Sequence, residues 1–473
     1  MTLLLLLACA GATNGPPSIL LVSLDTLRAD RLAAYGNTDG ITPNLNRFAT
    51  DATVFTHADT QATHTTEAHS AVFTGRYPME LFDTSKVPDL RGVPTLAEVL
   101  HICGYQTAAF VAGGALAPEY GLTKGFDTYE SPTQFGSFFH TVPPSLAWLD
   151  SRRPDAPFFL FVHSYDAHQY QRPTPWGYLY ADGTQPGPWQ DAGPSAAMFV
   201  ADGALLPGSA AIEATDSMLR PRSTAGRARL AALNATTLPR PRAFSDADTA
   251  QLRKVYDGGA SYADAWFGTL MAVLEQRGLL DDTLVAVMSD HGEELGERGV
   301  FDHSYGVTDA TANVVLMVKL PRQHEGRVVT ERVGLLDVFP TLIELAGAPL
   351  PAVQSGASFA PALRGEAFTG RAFTVTGGSK RMNAYSIADA TGRLTYTGPP
   401  PAAAGLPEIV ETALLPGPGF ESDAPEADAE RLRGELVTWL RDTPRRMTRS
   451  ANGLSAEQQK VMREHGYFDA GAP

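Results

Sequence analysis

Three segments of the sequence share one feature: a short apolar run of strand-forming residues that ends in side chains able to bind a metal ion. They are "SILLVSLD", ending at Asp25, "FFLFVHSYDAH", running into Asp166 and His168, and "TLVAVMSDH", ending at Asp290 and His291. Continuous apolar runs are typical of parallel strands buried on both faces. A single aspartate at a strand end is usually a helix cap or a turn residue. Three such endings instead favour one crevice at the carboxyl edge of a sheet, where residues distant in sequence meet.

The segments between these runs alternate between helix and strand patterns. "VPTLAEVLHICGY" has helical periodicity and "QTAAFVAG" is typical of a strand. This alternation predicts an α/β fold with a mainly parallel central sheet flanked by helices, over residues 18–370. A small C-terminal α+β subdomain is expected over residues 371–473, with strands in "RAFTVTGG" and "GRLTYTG" and a final helix in "DAERLRGELVTWLRDTP".

Residues 169–244 interrupt the alternation. They are rich in Pro, Gly, Ala and Arg, as in "TQPGPWQDAGPSAAM". This composition predicts an irregular insertion, a surface loop with a short helix, and long loops in compact domains are often functional.

The charge balance bears on the class of partner. A net charge of −15 argues against a nucleic-acid-binding protein, which needs a basic surface to neutralise phosphates. A negatively charged protein that handled a negatively charged ester would need local positive charge, which a bound metal ion supplies.

The first 17 residues resemble a signal segment. The run "MTLLLLLACAGATNG" ends its apolar stretch in Leu-Leu-Ala-Cys, like a bacterial lipoprotein signal with Cys9 as the lipidated residue. The run is short and no Lys or Arg precedes it, so an incorrectly assigned start is the alternative. The lipoprotein interpretation predicts an exported protein, periplasmic or on the outer surface, with a membrane tether at Cys9.

The block "SDHGEELGERGVFDHS" around Asp290 resembles the metal-binding segment of the sulfatase family, in the alkaline phosphatase superfamily. "LVSLDTLRADRLAAYGN", "HTTEAHSAVFTGRYP", "FFLFVHSYDAH" and "VGLLDVFPTLIELAGAP" are similar to family segments in matching order, so the resemblance covers residues 18–370. It implies a sulfuric or phosphoric ester hydrolase that acts on a small-molecule or a glycan or lipid ester.

The nucleophile segment departs from the family pattern. Family members carry Cys or Ser, then any residue, Pro, Ser and Arg, with Thr-Gly nine positions after the first. Counting back from Thr74 places the nucleophile at Thr65, and Glu67, Ala68 and His69 occupy the next three pattern positions. Threonine is not converted to formylglycine, so the resemblance implies direct attack by Thr65. The alternative role of Thr65 is the N-cap of the following helix.

Two other positions differ from the family. Beside the first metal aspartate, where a second acid or an amide is common, the neighbours are Leu24 and Thr26. The segment that carries a sulfate-binding Lys in sulfatases corresponds here to "AAFVAGGAL", which has no Lys.

The histidines receive separate interpretations. His168 and His303 match positions that contact the ester or protonate the leaving group, and His69 is expected to support Thr65. His57 and His64, which flank the nucleophile segment, are interpreted as structural.

The resemblance implies that Asp25, Thr65, Asp290 and His291 surround one divalent metal ion. Carboxylate ligands favour Ca²⁺, Mg²⁺ or Mn²⁺, and histidine favours Zn²⁺ or Mn²⁺. With one histidine in this set, calcium is the preferred prediction.

The sequence alone does not decide whether the group transferred from the substrate is a sulfate, a phosphate or a phosphonate. A sulfatase-family hydrolase of sulfate or phosphate esters is the first interpretation. A phosphodiesterase, phosphonate hydrolase or phosphotransferase of the same superfamily is the second, supported by Thr65 and the missing Lys. The third is a catalytically silent binding protein on the same fold.

Overall fold

The computed structural model describes most of the chain outside its two ends and the insertion. The described residues are 15–82, 87–133, 135–168, 246–297, 301–303, 306–377, 384–397 and 426–443, with short strands at 200–201, 204–205 and 242–243. Cys9, and with it the predicted tether, lies outside the described residues, as does most of the insertion at 169–244.

A sheet of eight strands forms the centre of the molecule. The strands are β1 (Ser18–Leu24), β2 (Thr53–Phe55), β3 (Gln106–Phe110), β4 (Thr128–Glu130), β5 (Phe158–Ser164), β6 (Thr283–Met288), β7 (Leu316–Lys319) and β8 (Arg327–Val329). Their order is β8-β2-β7-β6-β1-β5-β3-β4. β7 pairs antiparallel with both of its neighbours, and the other pairs are parallel. The predicted mainly parallel sheet is confirmed.

Helices cover both faces of this sheet. They are α1 (Pro43–Ala49), α2 (Thr65–Thr74), α3 (Leu96–Ile102), α4 (Phe138–Ser151), α5 (Asp246–Gln276) and α6 (Val338–Leu345). Side chains alternate along β1, so that Ile19 and Leu21 pack in one core with α2, α3 and α6. Leu20 and Val22 pack in the opposite core with α1, α4 and α5. Among the described residues, no helix combines the length and the apolarity that crossing a bilayer requires.

Shorter elements connect these layers. Short helices or helical turns lie at Ala29–Arg31, Ala33–Tyr35, Pro78–Leu81, Gly114–Leu116, Pro118–Tyr120, Leu280–Asp282, Asp309–Ala312, Leu335–Asp337 and Ala360–Arg364. Strand pairs of two residues join Ala58–Asp59 to Val333–Gly334 and Glu294–Leu295 to Phe301–Asp302. Within the insertion, Val200–Ala201, Ala204–Leu205 and Arg242–Ala243 pair as a small sheet.

The C-terminal part forms the predicted small sheet with a helix on it. Strands β9 (Thr374–Gly377), β10 (Ala384–Asp389) and β11 (Gly392–Thr397) pair antiparallel in that order. Helix α7 (Glu426–Asp442) packs on the sheet through a small apolar cluster. The middle strand, β10, was not predicted from the sequence.

Candidate metal centre

Strands β1 and β6 bring the first set of predicted site residues to one edge of the sheet. The two strands are neighbours, and the parallel register pairs Ser23 with Met288. Asp25 directly follows β1, while Asp290 and His291 follow β6, and all three side chains are fully buried. The predicted convergence of these two segments at the carboxyl end of the sheet is therefore present in the structure.

Three buried ligand atoms at this edge have no hydrogen-bond partner among the described residues. They are Oδ1 of Asp25, Oδ2 of Asp290 and Nε2 of His291. The residues offer ligand atoms that lie within 4.8 Å of one another. The Nδ1 atom of His291 lies 3.0 Å from the carbonyl oxygen of Gly292, so Nδ1 carries the proton and Nε2 presents a lone pair. Buried polar atoms are rarely left without partners, and a divalent cation fits these three.

The electrostatics of the two carboxylates support the same fit. Burial raises the pKa of Asp25, and burial together with the neighbouring Asp25 raises the pKa of Asp290. Two carboxylates without a cation between them are costly to ionise in a buried site, because each loses its hydration and repels the other. A bound divalent ion would remove that cost.

Thr65 lies beside this centre at the first turn of α2. Its side chain is 4% exposed, and Oγ1 donates a hydrogen bond to Oδ2 of Asp25 over 3.1 Å. The helix begins at Thr65, and His64 occupies the N-cap position without a side-chain cap hydrogen bond. The alternative role of Thr65 as the N-cap is therefore wrong, and its hydroxyl is directed to the metal-centre carboxylate. The positive end of the helix dipole also lies at this residue.

His69 lies one turn after Thr65 on α2 and is fully buried. Its Nδ1 donates to the carbonyl oxygen of Thr65 over 2.8 Å, and its Nε2 lies 2.9 Å from Oγ of Ser23. Burial lowers the pKa of His69 to about 4, so the ring is neutral near pH 7. His69 thus fixes the first turn of α2 through the backbone of Thr65 and ties it to β1.

Sequence reasoning missed His163, which lies in the middle of this arrangement. The residue is near the end of β5, fully buried, and its Nε2 donates to Oδ2 of Asp25 over 3.3 Å. Burial lowers the pKa of His163 to about 4. A histidine inside the otherwise apolar run "FFLFVHS" needs a buried partner, and that requirement was the signal available in the sequence. Its hydrogen bond orients the Asp25 carboxylate.

The backbone after Asp25 is held in a strained conformation. Thr26 has a φ of 57°, in the left-handed region that non-glycine residues rarely occupy. Its N–H donates to Oδ1 of Asp290 over 3.2 Å. The hydroxyl of the fully buried Tyr256 donates to the Thr26 carbonyl over 2.6 Å and accepts the Arg28 N–H over 2.9 Å. Tyr256, from α5, therefore holds the turn that aims Asp25 and supports Asp290.

Gly292 allows two backbone segments to approach each other closely. A Cβ atom at this position would lie 1.9 Å from the carbonyl oxygen of Ala310. The Gly292 N–H donates to the Thr311 carbonyl over 2.8 Å, and the Glu293 N–H donates to the Ala310 carbonyl over 3.1 Å. Glycine is required here because the short helix at 309–312 packs directly against the loop that carries Asp290 and His291.

His303 and His168 lie on one side of the centre. The ring centroid of His303 is 4.4 Å from that of His291 and 5.2 Å from that of His168. Nδ1 of His303 lies 3.2 Å from Oε2 of Glu293, which is itself buried. His64, interpreted as structural from the sequence, also packs edge-on against His303, at 5.5 Å between ring centroids. The structure therefore places His303 beside His291, and His168 beside His303.

Asp166 does not join the candidate ligand group. Its Oδ2 accepts the backbone N–H of Phe138 over 2.9 Å, at the start of α4. Asp166, which was not among the predicted metal ligands, therefore satisfies a helix terminus, and the candidate ligand group among the described residues is Asp25, Asp290 and His291.

The chain matches known proteins over most of its length. The family model described as Sulfatase matches residues 17–348. The chain belongs to the sulfatase family. Steryl-sulfatase of Mus musculus is 30% identical over 435 residues, covering 76% of this chain and 67% of that protein. Arylsulfatase A of Homo sapiens is 27% identical, covering 77% of this chain and 71% of that protein. The family and these relatives indicate an enzyme, a sulfuric ester hydrolase.

Solved structures show the same fold. Phosphonate monoester hydrolase from Silicibacter pomeroyi superposes with a TM-score of 0.63 at 19% identity, covering 91% of this chain and 96% of that chain. The corresponding hydrolase of Agrobacterium radiobacter gives a TM-score of 0.62 at 20% identity, covering 90% and 95%. At these identities the likeness establishes the fold, and the fold accommodates enzymes named for sulfate esters and for phosphonate esters.

Proposed function

We propose that this sulfatase-family protein is a metal-dependent hydrolase that cleaves sulfate or phosphate esters with Thr65 as its nucleophile. The observation that carries the proposal is the position of the Thr65 hydroxyl, hydrogen bonded to Asp25. It lies beside three buried ligand atoms that find no hydrogen-bond partner in the part of the chain that the structure describes. Full burial of a carboxylate pair with raised pKa values is costly for stability alone, so a functional role accounts for it better.

The proposed ligands are Asp25, Asp290 and His291, with Thr65 beside them. When bound, a divalent cation supplies charge neutralisation for the ester and for the oxygen that becomes the nucleophile. Two carboxylates against one imidazole favour calcium, with manganese, magnesium and zinc as the alternatives to compare.

Thr65 forms the new bond in the proposed reaction. Its Oγ1 attacks the sulfur or phosphorus atom in line with the leaving oxygen, and the bond between that atom and the leaving oxygen breaks. The hydroxyl proton leaves toward Oδ2 of Asp25, which already accepts it in a hydrogen bond. Water then hydrolyses the covalent ester on Thr65 and releases the sulfate or phosphate.

His303 or His168 supplies a proton to the departing alcohol. The contact between Nδ1 of His303 and Glu293 favours His303, because a neighbouring carboxylate stabilises the protonated imidazole. His168 lies 5.2 Å from His303 between ring centroids, so it is placed to act on the same side of the ester.

A second candidate is preferential action on phosphodiesters or phosphonates, or phosphoryl transfer to another acceptor. Thr65 supports it, because threonine cannot supply the formylglycine hydrate that sulfatases use on sulfate esters. The absence of Lys from "AAFVAGGAL" supports it as well, since that segment carries the sulfate-binding Lys in sulfatases.

The test is a paired assay on the purified protein. Metal is removed with a chelator, and Ca²⁺, Mn²⁺, Mg²⁺ or Zn²⁺ is added back with 4-nitrophenyl sulfate, a 4-nitrophenyl phosphodiester or a 4-nitrophenyl phosphonate. Turnover that depends on the metal and is lost in Asp290→Asn supports the proposal. Tight metal binding with no turnover on any of the esters would favour the silent binding protein instead.

We also propose that the protein is exported and tethered through a lipidated Cys9. The apolar run that ends in Leu-Leu-Ala-Cys supports this proposal. Expression in a bacterial host should place the protein in the detergent-soluble membrane fraction, and Cys9→Ala should release it. An unchanged distribution in Cys9→Ala would contradict the tether.

A further inference from the structure

The C-terminal sheet contacts the segment that leads into α2 and the short helix that packs against the Asp290–His291 loop. Strand β9 contacts the segment that leads into α2: Oγ1 of Thr376 donates to the Thr60 carbonyl over 2.6 Å, and the Gly377 N–H donates to the Gln61 carbonyl over 2.8 Å. Thr65 begins α2 four residues later. The position of the proposed nucleophile is therefore coupled to the position of the C-terminal sheet.

Arg393, on β11, lies where this sheet meets the catalytic part of the chain. It is 8% exposed, and Nη2 donates to Oδ1 of Asp59 over 2.6 Å. Nε of the same guanidinium donates to Oδ1 of Asp309 over 2.6 Å. A guanidinium with its donors in a fixed plane holds two carboxylates at a set separation, which a lysine ammonium does not.

The two carboxylates that Arg393 joins belong to the two sides of the site. Asp59 is fully buried and lies six residues before Thr65. Burial alone would raise the pKa of Asp59, but Arg393 and Arg332 hold it below its ordinary value. Thr374, on β9, donates a further hydrogen bond to Oδ2 of Asp59 over 2.5 Å.

Asp309 begins the short helix that supports the metal-binding loop. The carbonyl oxygens of Ala310 and Thr311 accept the N–H groups of Glu293 and Gly292, directly after His291. No Cβ atom separates these backbones, because residue 292 is glycine. A displacement of this helix therefore moves the loop that carries Asp290 and His291.

We propose that Arg393 is a positioning residue for the metal centre, joining the nucleophile side and the Asp290–His291 side of the site through Asp59 and Asp309. The inference rests on the proposed metal centre. It assigns to the C-terminal sheet a role in metal affinity, through the separation between the two groups of ligands rather than through contact with the ion.

The test compares two arginines of the same subdomain in the full-length protein. Arg393→Gln removes the side-chain link and leaves the backbone hydrogen bond from the Thr60 N–H to the Ala312 carbonyl, 2.9 Å long, in place. Arg431→Gln is the matched control. Arg431 lies on α7 and pairs over 2.6 Å with Asp389, the last residue of β10 in the same sheet. Ca²⁺ binding to the chelator-treated proteins is measured by calorimetry, and the thermal unfolding midpoint is measured in parallel without metal.

We expect Arg393→Gln to weaken Ca²⁺ binding about 10-fold, the lower end of the effect of residues that orient metal ligands. Arg393→Lys should recover only part of the lost Ca²⁺ affinity, because one ammonium group cannot hold both carboxylates as the planar guanidinium does. Arg431→Gln should keep the wild-type affinity even where its unfolding midpoint falls. Wild-type affinity in a folded Arg393→Gln protein, or an equal loss in Arg431→Gln, overturns the inference.

A second variant covers the case in which Arg393→Gln does not fold. Asp309 is 63% exposed in its side chain, so Asp309→Ala removes the acceptor of the Arg393 hydrogen bond at a site where folding should tolerate it. Weaker Ca²⁺ binding in this variant supports the inference, and unchanged binding overturns it. A wild-type protein that binds neither Ca²⁺ nor Mn²⁺ would overturn the metal centre and the inference together, whereas equal binding by wild type and variants overturns the inference alone.

Discussion

Oγ1 of Thr65 donates a hydrogen bond to Oδ2 of Asp25 over 3.1 Å, although 40 positions separate the two residues in the sequence. The other oxygen of the same carboxylate has no hydrogen-bond partner among the described residues, and ligand atoms of Asp25, Asp290 and His291 lie within 4.8 Å of one another. One carboxylate therefore connects the proposed nucleophile to the proposed metal. This shared residue is the reason that nucleophilic attack by Thr65 is predicted to depend on metal binding.

His303→Gln should slow the hydrolysis of esters with poor leaving groups most strongly. The proposed proton donor matters when the departing alkoxide is strongly basic, so the loss in kcat for an alkyl ester should be about 10²- to 10⁴-fold. An ester of 4-nitrophenol, whose anion leaves without a proton, should lose much less. Steady-state kinetics on the two substrates measures the difference.

His101→Gln is the control for that measurement, because His101 is a largely exposed histidine paired with Asp127 on the surface. It should leave both substrates unaffected. An equal loss on both esters in His303→Gln would show that His303 does not protonate the leaving group, and the same comparison on His168→Gln would then test the alternative donor.

Tyr256→Phe should weaken the metal centre beyond its effect on folding. The change removes the hydroxyl that bonds Thr26 and Arg28, and unpaired backbone groups in a buried site cost about 1–3 kcal/mol of unfolding free energy. Because the strained Thr26 turn aims Asp25, we also expect Ca²⁺ affinity to fall about 10-fold. Denaturant unfolding and calorimetry report the two effects separately.

Tyr35→Phe provides a matched comparison. The Tyr35 hydroxyl accepts the Leu316 N–H over 2.8 Å and donates to the Leu316 carbonyl over 3.2 Å. Its removal should cost a similar unfolding free energy and leave Ca²⁺ affinity unchanged. Equal affinity in the two variants would contradict a positioning role for Tyr256.

Metal affinity should fall as the pH is lowered. Burial raises the pKa values of Asp25 and Asp290 in the metal-free folded protein above their unfolded values. The folded state then holds these protons more tightly, so metal-free stability falls as the pH rises from the ordinary carboxylate range through the raised values. At low pH a cation must displace the protons bound to Asp25 and Asp290, whereas at high pH it neutralises the two ionised carboxylates.

Calorimetry at about pH 5 and about pH 8 should therefore show tighter Ca²⁺ binding at the higher pH. Metal should also raise the unfolding midpoint by a larger amount at the higher pH. Equal affinity at the two pH values would contradict raised carboxylate pKa values at the binding site.

The sequence predicted the parts of the site that local pattern determines. Asp25 and Asp290 follow buried strands, and the carboxyl ends of neighbouring parallel strands must meet at one edge. Asp166 shows the limit of that reasoning, because a strand-end acid also serves well at a helix terminus and only the tertiary structure selects between the two. The reversed direction of β7 likewise depends on how strands pair rather than on local periodicity.

The residues that sequence reasoning missed all act through partners distant in sequence. His163 orients Asp25 from a position 138 residues away, and Tyr256 bonds Thr26 from a position 230 residues away. Arg393 joins Asp59 across 334 positions. No local pattern identifies such pairs, although a histidine in an apolar strand does indicate that a buried partner must exist.

Replacement of Thr65 tests whether this residue is the nucleophile, with Thr66→Ala as the control. Thr66 is the next residue of α2, also buried, and its hydroxyl bonds the Ala115 carbonyl over 2.7 Å. Steady-state turnover of the best 4-nitrophenyl ester is measured for both variants with Ca²⁺ bound. We predict that Thr65→Ala loses on the order of 10⁴-fold or more in kcat while its fold and Ca²⁺ binding persist, and that Thr66→Ala stays active. Wild-type turnover in Thr65→Ala would show that Thr65 is not the nucleophile.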